Sequence, residues 1–361
     1  MIIQKKIDIA LNNWVITKVG MIDRYTYLVI AQWNNDNEDT LFLAKNGKEY
    51  DHPTRMICID MKNNKIDWLT EHDGYSHGYC DGGIINGNKV AFFGSGNGIT
   101  YHLDYGADKF QHEELLLTKA RREKGISRTV RGIKFLDKHF YAGSGGNRIW
   151  RRDAAKKWTL ISKEPMEYGD KFNTGDVACV DGFNEEEIYF SGNDGTLWVM
   201  LGKEWHKIST KKDWNIDNVI CGDDGKVYAV DTRGRVAIGR GTKFELFDIP
   251  DESKQTSIWE ACVFQGKLYG CGEGGVLKVF IDKTWIPARL PLVGNTEYIV
   301  AKDGIMLIAG PWTLKIYNGK ETQELYGGEK ELNELLLKGF MKSSVDVLDN
   351  AGKLLDGMKK P

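Results

Sequence analysis

Several short stretches of this 361-residue chain hold residue types that carry out chemistry in other proteins. "GSGNG" at 94–98 imitates a glycine loop that cradles phosphate. It lacks the Lys-Ser/Thr ending, and the strand-like "ITYHLDY" follows it where a helix would be needed. His72 and His77 in "EHDGYSHGYCDGG", with Cys80 and Asp81 close behind, could ligate a metal, but their spacing fits no standard ligand set and suits a polar loop equally well. "YFSGNDGTLW" at 189–198 places a serine, an asparagine and an aspartate between aromatics, as an active site or a tight turn would. The expectation is no catalytic residue, no metal and no cofactor.

The turn reading of "YFSGNDGTLW" follows from its recurrence. Tyr189, Gly192, Gly195 and Leu197 set a frame that Tyr269, Gly272, Gly275 and Leu277 repeat in full. Looser copies begin at Phe92, Tyr141, Tyr228 and Leu307, so the period is about 40 to 50 residues. Past each hairpin comes an aromatic, usually behind a lysine: Phe110, Trp158, Trp205, Phe244 and Trp285. Before each comes a short apolar run such as "GIKFL", "VACVD" or "EACVF". Four strand-length runs per unit, separated by Gly, Asn and Asp, predict an all-β fold, a β-propeller of four-stranded blades. Six units are clear and the stretch before residue 70 supplies another, giving seven blades, with six and eight also compatible. The last unit shows no convincing fourth strand after "LKIYNG". The N-terminal "KKIDIAL", with Ile7, Ile9 and Leu11 alternating onto one face, is expected to fill that edge.

Ser191-Gly-Asn193-Asp-Gly195-Thr-Leu-Trp198 resembles the Asp-box of BNR repeats, with Asn193 at the Asp position and Leu197 at the Thr position. The following "GKEW" is also similar to BNR and photosystem-assembly-factor propellers. The resemblance covers roughly residues 80 to 326 at the level of the repeat. It implies a structural hairpin device rather than a catalytic one. Sialidase-like chemistry on such a fold would need an arginine cluster beside a Tyr–Glu pair, and the sequence does not assemble one.

In a propeller the loops entering the innermost strands share a face with the hairpins joining second and third strands. The residues entering the predicted innermost strands are Asp81, Arg131, Asp176, Asp217, Trp259 and Glu297. They are expected to form a mostly acidic ring with one aromatic anchor, or alternatively to bond neighbouring blades. Long loops at 70–82, 118–131 (with Arg121, Arg122 and Arg128) and 163–176 adjoin them, and Trp214 and Trp312 fall on the same face. Loops on a rigid scaffold carry binding residues, and Trp and Arg dominate interface energetics. The candidate partner-binding set is therefore Trp259, Trp312, Arg131, Asp81, Asp176, Asp217, Glu297, Arg121, Arg122 and Arg128.

The formal net charge of −2 argues against a nucleic-acid binder working through a basic field. No signal-like segment and no apolar run of about 18 residues appears. The six cysteines include no Cys-x-x-Cys pair, and Cys179, Cys221 and Cys262 fall in predicted innermost strands as small apolar groups. These features lead to the expectation of a cytoplasmic location without membrane insertion. Residues 1–327 are expected to form the propeller, and 328–361 an amphipathic helical tail. The expected function is a non-catalytic scaffold binding a protein with a basic surface, as an assembly chaperone or a toxin-neutralising immunity protein. The competing reading is a sialidase-like glycan-binding module or glycoside hydrolase.

Overall fold

The computed structural model describes residues 2–33, 53–71, 78–95, 99–104, 109–114, 130–144, 148–162, 177–249, 256–290 and 295–327. Their strands pair into seven antiparallel sheets of four, each made of consecutive strands. The innermost strands are Trp14–Asp23, Gly78–Ile85, Val130–Leu136, Val177–Asn184, Ile216–Cys221, Glu260–Phe264 and Tyr298–Lys302. Each packs on the next, and the last packs on the first. The chain is a seven-bladed β-propeller, numbered here as blades 1 to 7.

The core lies between blades rather than within them. Ile22, Leu28 and Met56 of blade 1 bury themselves against Cys80, Phe93 and Leu103 of blade 2, and comparable clusters fill the other seams. The periodic tryptophans belong to these seams. Trp158 of blade 3 meets Phe92 of blade 2 edge-on at 5.3 Å. Trp205 of blade 4 donates to the Ile161 carbonyl at 3.4 Å, and Trp285 of blade 6 to the Gly234 carbonyl at 2.7 Å. Each outer-strand tryptophan thus packs back onto the preceding blade.

The repeating glycines sit in turns, as expected. Gly195 and Gly275 have φ of 67° and 63° and lie between the second and third strands of blades 4 and 6. A Cβ on Gly195 would come within 2.3 Å of the Lys211 carbonyl oxygen, and one on Gly275 within 1.2 Å of Asn295 Oδ1. Backbone conformation and space both call for glycine.

Two expectations about closure are corrected. Blade 7 has its own fourth strand, Thr322–Gly327, paired antiparallel to Thr313–Tyr317. The N-terminal segment is a helix, α1, spanning Ile2–Leu11. Its buried residues Ile7, Ala10 and Leu11, with half-buried Ile3, follow a helical period, while Ile9 is 58% exposed. Asn13, at φ 64°, ends the helix in the left-handed conformation. α1 bridges the seam where the ring closes: Tyr326 of blade 7 donates to the Leu11 carbonyl, and Arg55 of blade 1 to the Ala10 carbonyl. The expected tail at 328–361 and the candidates Asp176, Arg121, Arg122 and Arg128 lie outside the described residues, as do His72 and His77.

Candidate functional site

The upper mouth of the central channel is shaped by a recurring backbone irregularity. Upper denotes the end where each innermost strand begins. In blades 1, 3, 4 and 5 the pairing with the second strand skips one residue there: Thr17, Arg131, Ala178 and Asp217. In blade 6, Trp259 donates its amide to the Cys271 carbonyl while Glu260 is the register partner of Cys271. Glu297 and Tyr298 share Ala309 of blade 7 in the same way. Blade 2 is regular at this level, with Gly78 and Tyr79 in place. A bulge leaves one residue out of the ladder and re-aims its side chain. Here it turns Arg131, Asp217 and Trp259 to the channel.

Around the mouth, Lys18 of blade 1 forms an ion pair with Glu260 of blade 6, reaching past blade 7. Burial opposes the charge on Lys18, but Glu260, with Tyr79 and Cys179 adding to it, holds its pKa above the ordinary lysine value. The same ammonium stands 5.2 Å from the centre of the Tyr79 ring. Asp217 is half-buried and, among the described residues, makes no hydrogen bond or ion pair. Burial, then Glu260 and Asp231, push its pKa up to about 6, with Arg131 and Lys18 pulling the other way. Trp259 is 49% exposed. Its backbone is fixed to blade 5, because the Asn218 amide donates to the Trp259 carbonyl at 3.1 Å. The cavity has a volume of about 300 Å³, and its described lining carries four carboxylates (Asp81, Asp181, Asp217, Glu260) against three cations (Lys18, Arg131, Lys134).

Deeper in the channel the charged groups join blades. Asp81 accepts from the Phe135 amide at 2.8 Å, and Asp181 from the Cys221 amide at 3.0 Å. Lys134 pairs with Asp181 at 3.1 Å. Toward the lower end, Lys302 donates to the Gly82 carbonyl at 2.8 Å, crossing from blade 7 to blade 2. Cys80, Cys179, Cys221 and Cys262 line the wall. Burial raises the pKa of each thiol, that of Cys179 to about 11, so none is a ready nucleophile. No cluster of metal-ligating side chains occurs among the described residues.

The structure brings Arg131, Asp217 and Trp259 together at one mouth. Asp81 lies lower, as the fourth residue of its strand, 8% exposed and committed to the next blade. Glu297 accepts from Asn295 at 2.9 Å, is raised in pKa by burial, and stands outside the cavity lining. Trp312 is half-buried at the tip of the blade 7 hairpin, beside the Pro311 carbonyl that receives the Ile16 amide. Trp214, expected on this face, is fully buried among Ile208, Ile216 and Val219. Lys18, Tyr79 and Glu260 were not legible as site residues. Glu260 follows Trp259 directly, and that adjacency was the signal available for it.

No protein-family model matches the chain. A 140-residue stretch is 26% identical to the immune protein Tsi7 of Pseudomonas aeruginosa, covering 39% of this chain and 45% of that relative. The match therefore spans less than half of that relative's length. Among solved structures, virginiamycin B lyase from Staphylococcus aureus superposes with a TM-score of 0.60 at 10% identity, over 83% of this chain and 94% of that one. A catalytically inactive histidine-to-alanine form of that lyase, with quinupristin, gives 0.58 at 10% identity, over 83% and 93% of the two chains. The WD40 β-propeller domain of Doa1 gives 0.50 at 11% identity, over 83% and 90%. The likenesses to solved structures are likenesses of fold, and the class they define together with the seven four-stranded sheets is the β-propeller.

Proposed function

We propose that this propeller is a non-catalytic protein-binding scaffold of the immunity type, which neutralises a toxin protein by engaging it with the upper face. The single observation that carries the reading is Trp259. It is half-exposed on a backbone that Asn218 and the blade 6 ladder hold still, whereas Trp158, Trp205 and Trp285 are spent on blade seams. A large aromatic side chain on a rigid support is the type of group that anchors an interface at low ordering cost. The partial likeness to Tsi7 supports the immunity role. Kinship with BNR repeats belongs to the same proposal and rests on the hairpin at 191–198. A cytoplasmic location suits the six free cysteines.

A second reading has one observation in its favour. Tyr79, Glu260 and Arg131 meet at the mouth, as a sialidase-like site would require. Glu260 is engaged by Lys18, however, and Arg131 is the one arginine of the described lining. Nor does that lining include a histidine, the residue type whose loss inactivates the structurally similar lyase. Hydrolysis of a fluorogenic sialoside, abolished by Glu260→Gln, would establish the enzymatic reading over the scaffold.

The scaffold reading is tested by placing a photo-crosslinking amino acid at position 259 in cells of the native host, with position 68 on the outer strand of blade 1 as control. The expected result is one discrete protein adduct at 259 and none at 68. Adducts at 68 alone would overturn the choice of face.

A further inference from the structure

Among the described residues, the mouth holds a charge imbalance. Lys18 is matched with Glu260, and Lys134 with Asp181, while Asp81 is held by the Phe135 amide. Arg131 and Asp217 stand on blades 3 and 5, separated by blade 4, where the bulge residue is the small Ala178. Asp217 thus remains a half-buried carboxylate that no described hydrogen bond or ion pair satisfies. Trp259, half-exposed on the neighbouring blade 6, lines the same mouth. Asn218 joins the two blades by accepting the Ala261 amide at 3.3 Å and donating to the Trp259 carbonyl at 3.1 Å. An aromatic face attracts a cation, and a partly desolvated carboxylate attracts it more strongly than one in open water.

We propose that the upper mouth is a socket for one cationic side chain, a lysine or arginine, which enters between Trp259 and Asp217. This deepens the protein-binding reading and rests on it for where the cation comes from, but the socket's chemistry can be tested without a partner. Entry is from above, since Lys302 of blade 7 reaches toward the lower end to the Gly82 carbonyl of blade 2. The volume of about 300 Å³ holds a single long side chain and not a folded segment. Glu260 and Asp231 add negative potential around Asp217, and Arg131 and Lys18 set the opposing one. Arg131 therefore acts as a competitor of the ligand. Removing it strengthens binding.

The test uses the full chain labelled with 5-fluorotryptophan, where the resonance missing from Trp259→Phe identifies Trp259. Nα-acetyl-arginine amide and Nα-acetyl-lysine amide are titrated against Nα-acetyl-citrulline amide, the neutral counterpart of arginine. The expected result is a saturable shift of the Trp259 signal with the cations in the millimolar range and none with citrulline. Binding should weaken about tenfold in Asp217→Asn, and similarly from pH 7 to pH 5 in the wild type, and strengthen in Arg131→Ala. Asp217→Asn is checked for a cooperative melting transition no lower than that of the wild type, and the pH comparison on the wild type stands should that variant not fold. Equal binding of citrulline, or binding indifferent to both Asp217→Asn and pH, would overturn the socket. An adduct at position 259 in cells would then still uphold protein binding by this face.

Discussion

At pH 7 Asp217 is ionised where burial, Glu260 and Asp231 all resist its charge. Its folded-state pKa of about 6 lies above the unfolded value of about 3.9, so the folded chain holds the proton more tightly between them. Stability is therefore lost as pH rises through that window, and the loss persists above it. Asp217→Asn should stabilise the fold at pH 7 by roughly 1–2 kcal/mol after allowance for partial exposure, and by almost nothing at pH 4. Urea midpoints at the two pH values measure this; a variant destabilised at pH 7 would mean that the carboxylate holds the fold together. A side chain kept at a cost to stability is the pattern of a functional site. The tryptophans divide similarly. Trp285→Ala removes a seam contact and a hydrogen bond to Gly234, and should cost roughly 3–5 kcal/mol. Trp259→Ala should shift stability by no more than about 0.5 kcal/mol. Thermal unfolding of the pair separates them, and equal losses would contradict the assignment of Trp259 to binding.

At the scale of elements, the sequence displayed strands far better than bulges. The Tyr-Gly-Gly frame located blades 2 to 7 because each hairpin needs glycine at fixed offsets, as Gly195 and Gly275 show. A bulge has no such residue requirement here: Thr17, Arg131, Ala178 and Asp217 share the position without sharing chemistry. Asp81, expected in the ring, therefore sits deeper, because Gly78 and Tyr79 occupy that level. Lys18 carries no such signal, because blade 1 lacks the glycine frame altogether. The N-terminus misled for a different reason: "KKIDIAL" satisfies strand alternation and helical period at once, and the exposed Ile9 shows which one folding selected. α1 then clamps blade 1 to blade 7. Leu11→Ala should cost roughly 2–4 kcal/mol and speed amide exchange in Thr322–Gly327 ahead of the blade 4 strands. Uniform exchange across the blades would mean that α1 is only an appendage to the ring.

For the whole molecule, seven rigid blades convert local irregularities into one surface. Seam residues such as Asp181 and Asn218 fix adjacent blades, and the bulges above them deliver Arg131, Asp217 and Trp259 to a common mouth. The described lining carries one more carboxylate than cations, so the proposed basic partner should associate faster at low salt. Binding of a protein partner at this mouth is read from the dissociation constant of the partner crosslinked at position 259, measured for the wild type, Trp259→Ala and Trp68→Ala. Trp68 is comparably exposed, at 44%, but lies on the outer edge of blade 1. The expected result is a loss of at least about tenfold for Trp259→Ala, near 1.4 kcal/mol, and less than about twofold for Trp68→Ala. Unchanged affinity in Trp259→Ala would contradict binding at this mouth.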